Sequence, residues 1–426
     1  MRIIDSTDAR AVAALLDRRH GRDRRIESRV SRIVESVRRK GDPALLAFAK
    51  AFDGLTGPVE VTAAEIEAGA RAVPADVQAA IRLAASHIRR VARRQVPRPW
   101  TISTAAGVRV TQRVLPLDRV GCYVPGGRYP LPSSLLMTAI PARIAGVTEV
   151  VAVCPKPDAT VLCAAREAGV DRLFRLGGAH AVAALAYGTA TVPKVDKIVG
   201  PGNAYVAAAK AHVSAECGID FLAGPSEIAI VSVSGRPAWI AADLIAQAEH
   251  DPDARAILIT PSKRLARAVA SQIETQMPDS GPAPISLSRN GGIVLTRSLD
   301  EAVALSQRLA PEHLVCDSDR LAARLTRAGT VFVGNFSAQA CGDYVTGSNH
   351  VLPTSGAAAA RGGLTAADFV RVSTVQRIEP SGLRRIAPAG IALALAEGLT
   401  AHAASMAIRL PRSARPSGRR STGSTR

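Results

Sequence analysis

The sequence is poor in aromatic residues: two Trp, five Tyr and seven Phe make up 3% of 426 residues. Few rings are therefore available on which single strands or splayed RNA bases could stack. Six cysteines (Cys122, Cys154, Cys163, Cys217, Cys316, Cys341) lie far apart, with no C-x-x-C pair, which excludes a zinc ribbon or dithiol redox site. They read as reduced, mostly buried thiols. No uncharged apolar run approaches bilayer-spanning length, and the opening MRIIDSTDAR has no signal-peptide core. A cytoplasmic protein without membrane contact is expected. Neither G-x-G-x-x-G nor a Walker P-loop is present, and no repeat of 20–50 residues is apparent.

What is present is the composition of a globular protein: 47% hydrophobic, 21% charged, and enough length for two to three domains. The 54 Lys and Arg exceed the 36 Asp and Glu, giving +18, which first suggests nucleic acid. Five of those arginines fall in 411–426, where Pro, Ser, Gly and Thr leave nothing to pack. A second cluster, Arg18 to Lys40, carries Ile26, Val30, Ile33, Val34 and Val37 at helical spacing, so its arginines read as a solvated helix face. Nucleic-acid binding is not expected.

Residues 9–20, 26–51, 63–71 and 75–95 carry apolar residues three to four apart and predict helices. From about 105 the pattern changes. Short Val/Ile-rich runs at 119–124, 149–154, 172–176, 197–199, 227–233, 256–260, 292–295 and 330–333 alternate with Ala-rich helical stretches. That alternation predicts doubly wound parallel sheets in two lobes, about 117–226 and 227–335. Ligands are expected at the carboxyl ends of the strands, in a cleft between the lobes. A final helical segment, 390–408, has too little apolar partner of its own and should dock elsewhere, in this subunit or another.

The histidines narrow the chemistry. His20, in an Arg-rich stretch, and His87 and His212, within predicted helices, carry no assignment. Gln247 and His250 share a helix face, which suits either half a metal site or a simple surface pair. Glu312-His313 follows a helix ending at Ala310; the pair fits acid/base work or a solvated loop, and adjacent side chains should diverge toward different atoms. The stretch 342–350 places Asp343 and His350 in a polar loop, and His402 lies in the last helical segment. Gln247, His250, Asp343 and His402 together would supply two nitrogens and two oxygens, suited to zinc. Glycines at 126–127, 177–178 and 200–202 each follow a predicted strand, as tight turns or as cradles for an anion.

These motifs together resemble the histidinol dehydrogenase family over about 25–410: RVGCYVPGG (119–127), LMTAIPARIAGV (136–147), VPKVDKIVGPGNAYV (192–206), AGPSE (223–227), QAEHDPD (247–253), APEHL (310–314), GDYVTGSNHVLPT (342–354) and LTAH (399–402). The resemblance implies a zinc-dependent, NAD-linked four-electron oxidation of L-histidinol through the aldehyde to L-histidine. It implies Gln247, His250, Asp343 and His402 as ligands of one zinc per subunit, His313 as the base for the alcohol, and Glu312 as the residue that activates water. Ser226, His350 and Glu397 join those ligands and His313 around the substrate. Tyr123, His180 and Asn203 match NAD contacts, although the family has Gln where His180 stands.

The implied fold is a homodimer with shared active sites, made of two incomplete Rossmann-like domains and a small exchanged C-terminal domain. The chain then divides into 1–24, a helical segment packing with the C-terminal part; 25–116 with 227–360, one Rossmann-like domain; 117–226, the other; 361–412, exchanged between subunits; and 413–426, a disordered basic tail. The alternative is a related zinc/NAD enzyme acting on another small diol such as 3-sulfopropanediol. Glu397 favours histidinol, because a carboxylate suits a cationic substrate and repels a sulfonate.

Overall fold

A computed structural model describes residues 1–17, 23–126, 129–222 and 224–411; His20 and the basic tail 413–426 lie outside these. Two compact units form, one of residues 1–96 with 116–369, the other beginning with 97–115 and resuming at 370.

The larger unit holds two six-stranded sheets. In the Glu227 sheet the order is Ile3–Asp5, Gly292–Leu295, Arg255–Thr260, Glu227–Val231, His313–Cys316, Thr330–Val333, all parallel. Alternation along Glu227–Val231 sends Ile228 and Ile230 to a layer with Leu244, Val269 and Leu287. Ala229 and Val231 face Val12, Leu15 and Leu309 on the other side. Burial on both faces explains the unbroken Val/Ile runs.

The Arg119 sheet runs Glu60–Val61, Arg172–Phe174, Glu149–Val153, Arg119–Tyr123, Lys197–Val199, Gly218–Ile219. Only its edge strand Glu60–Val61 is antiparallel. Helix Arg24–Lys40 is capped by Asp23, which accepts the amides of Arg25 and Ile26, and stops at Gly41 with φ +60°. Its Val30, Ile33, Val34 and Val37 bury against Val182, Leu185 and Val206 of the sheet's helices. The arginines of this helix thus lie opposite its packed face.

Three points differ from the sequence reading. Residues 24–96 pack with the Arg119 sheet, not with 227–360, because Glu60–Val61 is that sheet's edge and Val30–Val37 its cover. Helical periodicity marks an apolar face without saying which sheet it covers. Residues 97–115 belong instead to the second unit. The N-terminal segment opens with a strand, Ile3–Asp5, that extends the Glu227 sheet ahead of helix Ala9–Leu16.

The second unit is not purely helical. Trp100–Ala105 and Val108–Pro116 form an antiparallel hairpin, with Val370–Ile378 as the third strand. Helices Pro380–Ala396 and Thr400–Ala407 replace the single predicted segment, broken at Gly398 with φ +77°. Their shared core is small: Ala387, Ile391, Ala394, Ala403 and Leu410. Trp100, Ile102, Val372, Val375, Leu393 and Ile408 remain exposed.

Candidate active site

Ser226 and Glu312 immediately precede the strands Glu227–Val231 and His313–Cys316, so the polar cluster sits at the amino edge of the Glu227 sheet. The carboxyl-edge rule therefore fails for this sheet. In the Arg119 sheet the strands end at Tyr123, Phe174 and Val199, beside the glycine turns. The two edges are joined within the larger unit: Asn349 Nδ2 donates to the Met137 carbonyl over 2.7 Å, and His350 Nε2 lies 3.4 Å from Ser134 Oγ. Met137 and Ser134 belong to the helix that follows Tyr123.

At the amino edge, Gln247 Nε2 donates to Ser226 Oγ at 2.5 Å, and Ser226 Oγ donates to Glu312 Oε2 at 2.6 Å. The Glu227 amide adds a second bond to Glu312 Oε2 at 2.8 Å. His313 Nδ1 stands 3.6 Å from the same oxygen, and His313 Nε2 stands 3.6 Å from Asp343 Oδ1. The expected divergence of Glu312 and His313 is not seen. Ala310 turns with φ +45° and Pro311 stops the helix, so Glu312 is still in the turn when His313 enters the strand.

Burial sets the electrostatics. It pushes the Glu312 carboxyl above its ordinary value, against the pull of His313 and the Ser226 hydrogen bond. For His313 burial acts downward, but the carboxylates of Glu312 and Asp343 outweigh it and raise the imidazole. Asp343 is lowered despite burial, chiefly by its bond to His313. Burial lowers His350, whose Nδ1 meets the Asp343 carbonyl at 2.9 Å.

The donor set fits a metal ion. Gln247 Oε1 is buried without a hydrogen-bond partner, an arrangement that costs energy unless something else binds it. His250 Nδ1 lies 3.2 Å from the Gln247 carbonyl, which directs Nε2 outward, 3.9 Å from Asp343 Oδ2. Gln339 Nε2 holds that same Asp343 oxygen at 2.8 Å. Among the described residues no three His, Cys, Asp or Glu side chains cluster as ligands. The third donor in this unit is an amide, and His402, with Glu397, belongs to the second unit.

At the carboxyl edge of the Arg119 sheet, Tyr123 OH accepts the Gly178 amide at 2.9 Å, and burial raises its pKa. Asn203 caps its helix through Oδ1, 3.0 Å from Tyr205 N and 3.2 Å from Val206 N. His180 is 1% exposed, with Nε2 2.8 Å from Asp53 Oδ2.

Sequence reasoning missed several supporting residues. Gln339 precedes Asp343 by four on one helix, a spacing that could have been read. His87 Nδ1 meets the Val345 carbonyl at 2.6 Å and anchors the 342–354 loop. A partner 258 residues away leaves no local signal.

Residues 16–410 match the histidinol dehydrogenase family model. The histidinol dehydrogenase of Caulobacter vibrioides is 46% identical over 412 residues, covering 94% of this chain and 96% of that protein. That of Cereibacter sphaeroides is 47% identical over 401 residues, with 91% and 92% covered. The crystal structure of histidinol dehydrogenase from Elizabethkingia anophelis superposes with a TM-score of 0.91 at 32% identity, covering 96% of this chain and 98% of that one. On this likeness, over nearly its whole described length, the chain belongs to the histidinol dehydrogenase family.

Proposed function

We propose that the chain oxidises L-histidinol through L-histidinaldehyde to L-histidine, passing two hydrides to NAD. The observation that carries this reading is the hydrogen-bonded series Gln247–Ser226–Glu312 beside His313, which sets a carboxylate and an imidazole, one proton acceptor for each half of the reaction, side by side. In the first half, His313 takes the alcohol proton as hydride leaves the carbinol carbon. In the second, Glu312 takes a proton from water adding to the aldehyde, and the hydrate loses a second hydride to give the carboxylate. Raised by burial, Glu312 is a stronger base than an exposed carboxylate, as that step requires.

Gln247, His250 and Asp343 would hold a zinc ion with His402, and the unpartnered Gln247 Oε1 supports this assignment. Bound there, zinc would orient the substrate's amino and imidazole nitrogens. Ser226, His350 and Glu397 would complete the substrate's surroundings. The dinucleotide is assigned to the opposite edge, along Tyr123, the turn leading to His180, and Asn203.

His402 and Glu397 are further proposed to serve the site of a second copy, in a homodimer that exchanges its C-terminal units. Support comes from the small core of that unit and from its exposed Trp100, Ile102, Leu393 and Ile408, a surface that asks for cover. A cytoplasmic setting is part of the same reading. All six cysteines are free thiols, and among the described residues no helix is long and apolar enough to cross a membrane.

The test is NADH formation by zinc-loaded protein given L-histidinol, with a chelator control and 3-sulfopropanediol as the comparison substrate. Two NADH per histidinol, lost on chelation, are expected. Turnover of the sulfonate alone would overturn the assignment.

A further inference from the structure

His180 has no open face toward a ligand. Its ring is enclosed by Asp53 and by Phe48 and Phe52, whose centroids lie 6.2 and 6.1 Å away. A carboxylate oxygen can only accept, so Nε2 carries the proton and donates to Asp53 Oδ2. That same oxygen accepts the Gly177 amide at 2.9 Å. Asp53 ends a π-helical turn, Ala49–Asp53, stopped by Gly54 at φ +70°, and this wider turn aims the carboxylate at the glycines.

Gly177 and Gly178 are shaped by these contacts. A Cβ on Gly177 would lie 3.2 Å from Asp53 Oδ1 and 2.9 Å from Pro155, and Gly178 has φ +57°. The Gly178 amide then donates to Tyr123 OH. A continuous series runs from the imidazole through Asp53 and the glycine turn to the Tyr123 phenol. The neighbouring turn uses the same device. Asp220 accepts the Gly200 amide at 2.8 Å, and its other oxygen is held by the buried ammonium of Lys210, which also donates to the Gly200 carbonyl.

We infer that His180 is a positioning residue for the dinucleotide site: it fixes Asp53, which fixes the Gly177-Gly178 turn and with it Tyr123, and it does not itself touch the cofactor. This rests on the reading that NAD lies along this edge. The inference separates two roles for the same position. A contact residue would lose affinity on its own account, whereas a positioning residue shares its loss with Asp53.

The experiment compares zinc-loaded wild type with His180→Phe, His180→Gln, Asp53→Asn and the Asp53→Asn/His180→Phe double variant, recording the NAD dissociation constant by calorimetry beside KM for NAD, KM for histidinol and kcat. Phe keeps ring volume without the donor. Expected are rises of about tenfold in the NAD KM for His180→Phe and Asp53→Asn, the double variant no worse than the poorer single, and near-normal values for His180→Gln. KM for histidinol and kcat stay within about twofold, a split that general unfolding would not give. Tighter NAD binding in His180→Gln, multiplying losses in the double variant, or an unchanged NAD KM in Asp53→Asn would overturn the inference. Should His180→Phe fail to fold, Asp53→Asn still decides, because it leaves the imidazole in place. A wild type that makes no NADH from histidinol would instead sink the underlying reading, and calorimetric NAD binding would then test this one.

Discussion

Ser226 Oγ donates to Glu312 Oε2 across 2.6 Å, tying the residue before one central strand to the residue before its neighbour. The hydroxyl also receives the Gln247 amide, so one small side chain orients both a proposed metal ligand and a proposed base. Ser226→Ala should lower kcat/KM for histidinol by about tenfold or more, the usual consequence of leaving a buried carboxylate one hydrogen bond short. Because that bond holds the Glu312 pKa down, its loss should move the acid limb of the rate profile to higher pH. A variant with unchanged kcat/KM would remove Ser226 from the series.

Glu312 and His313 share a 3.6 Å contact but are assigned different protons. His313→Asn should abolish the first hydride transfer. Glu312→Gln should spare it and slow oxidation of the aldehyde. Rapid-mixing kinetics started from the alcohol and from the aldehyde can separate the two, and equal losses in both halves would rule out the division.

Much of this arrangement was legible in the chain, and what was not has physical causes. Val/Ile runs such as Glu149–Val153 and Arg255–Thr260 announced themselves because burial on both faces removes every polar interruption. Ile3–Asp5 did not, since three edge residues make too short a pattern. The hairpin Trp100–Pro116 was visible only as a change of texture, and its membership with Val370–Ile378 depends on pairing across more than 250 residues. The residues proposed as ligands and bases were readable as motifs. That Ser226 and Glu312 meet at an amino edge was not, because topology, rather than any local sequence, brings the two strands side by side.

Gln339 touches Asp343, not the proposed metal, and its Nε2–Oδ2 bond of 2.8 Å fixes which carboxylate oxygen can turn toward His250. Residues that orient a ligand in this way typically contribute 10- to 100-fold in metal affinity. Gln339→Leu, close in volume and without the amide, should lose about that much in zinc competition against a chromogenic chelator. Retention of wild-type affinity would make the bond incidental.

Asp243 lies on the Gln247 helix, and its carboxylate accepts the backbone N–H of Gln339. Burial pushes it from 3.8 up to about 6. Between those values the folded chain binds a proton that the unfolded chain has released, so this group's contribution is intact below 3.8 and is lost as pH rises through 6. At neutral pH the cost is on the order of 3 kcal/mol. Asp243→Asn should therefore raise Tm above pH 7 and give no gain at pH 4. A gain of equal size at both would show that the charge is not responsible.

If His402 serves a partner's site, two inactive variants should rescue one another. His313→Asn damages only the site built on its own larger unit, whereas His402→Ala damages the site its C-terminal unit reaches. A heterodimer of the two then contains one site with both histidines and one with neither. After unfolding and refolding equal amounts together, half the dimers are mixed, and activity should recover to about a quarter of wild type. Sites built within single chains would stay dead in the mixture, because each chain would keep its own defect. The recovered fraction thus reports which chain supplies His402, independently of metal content, since both variants are refolded with the same excess of zinc.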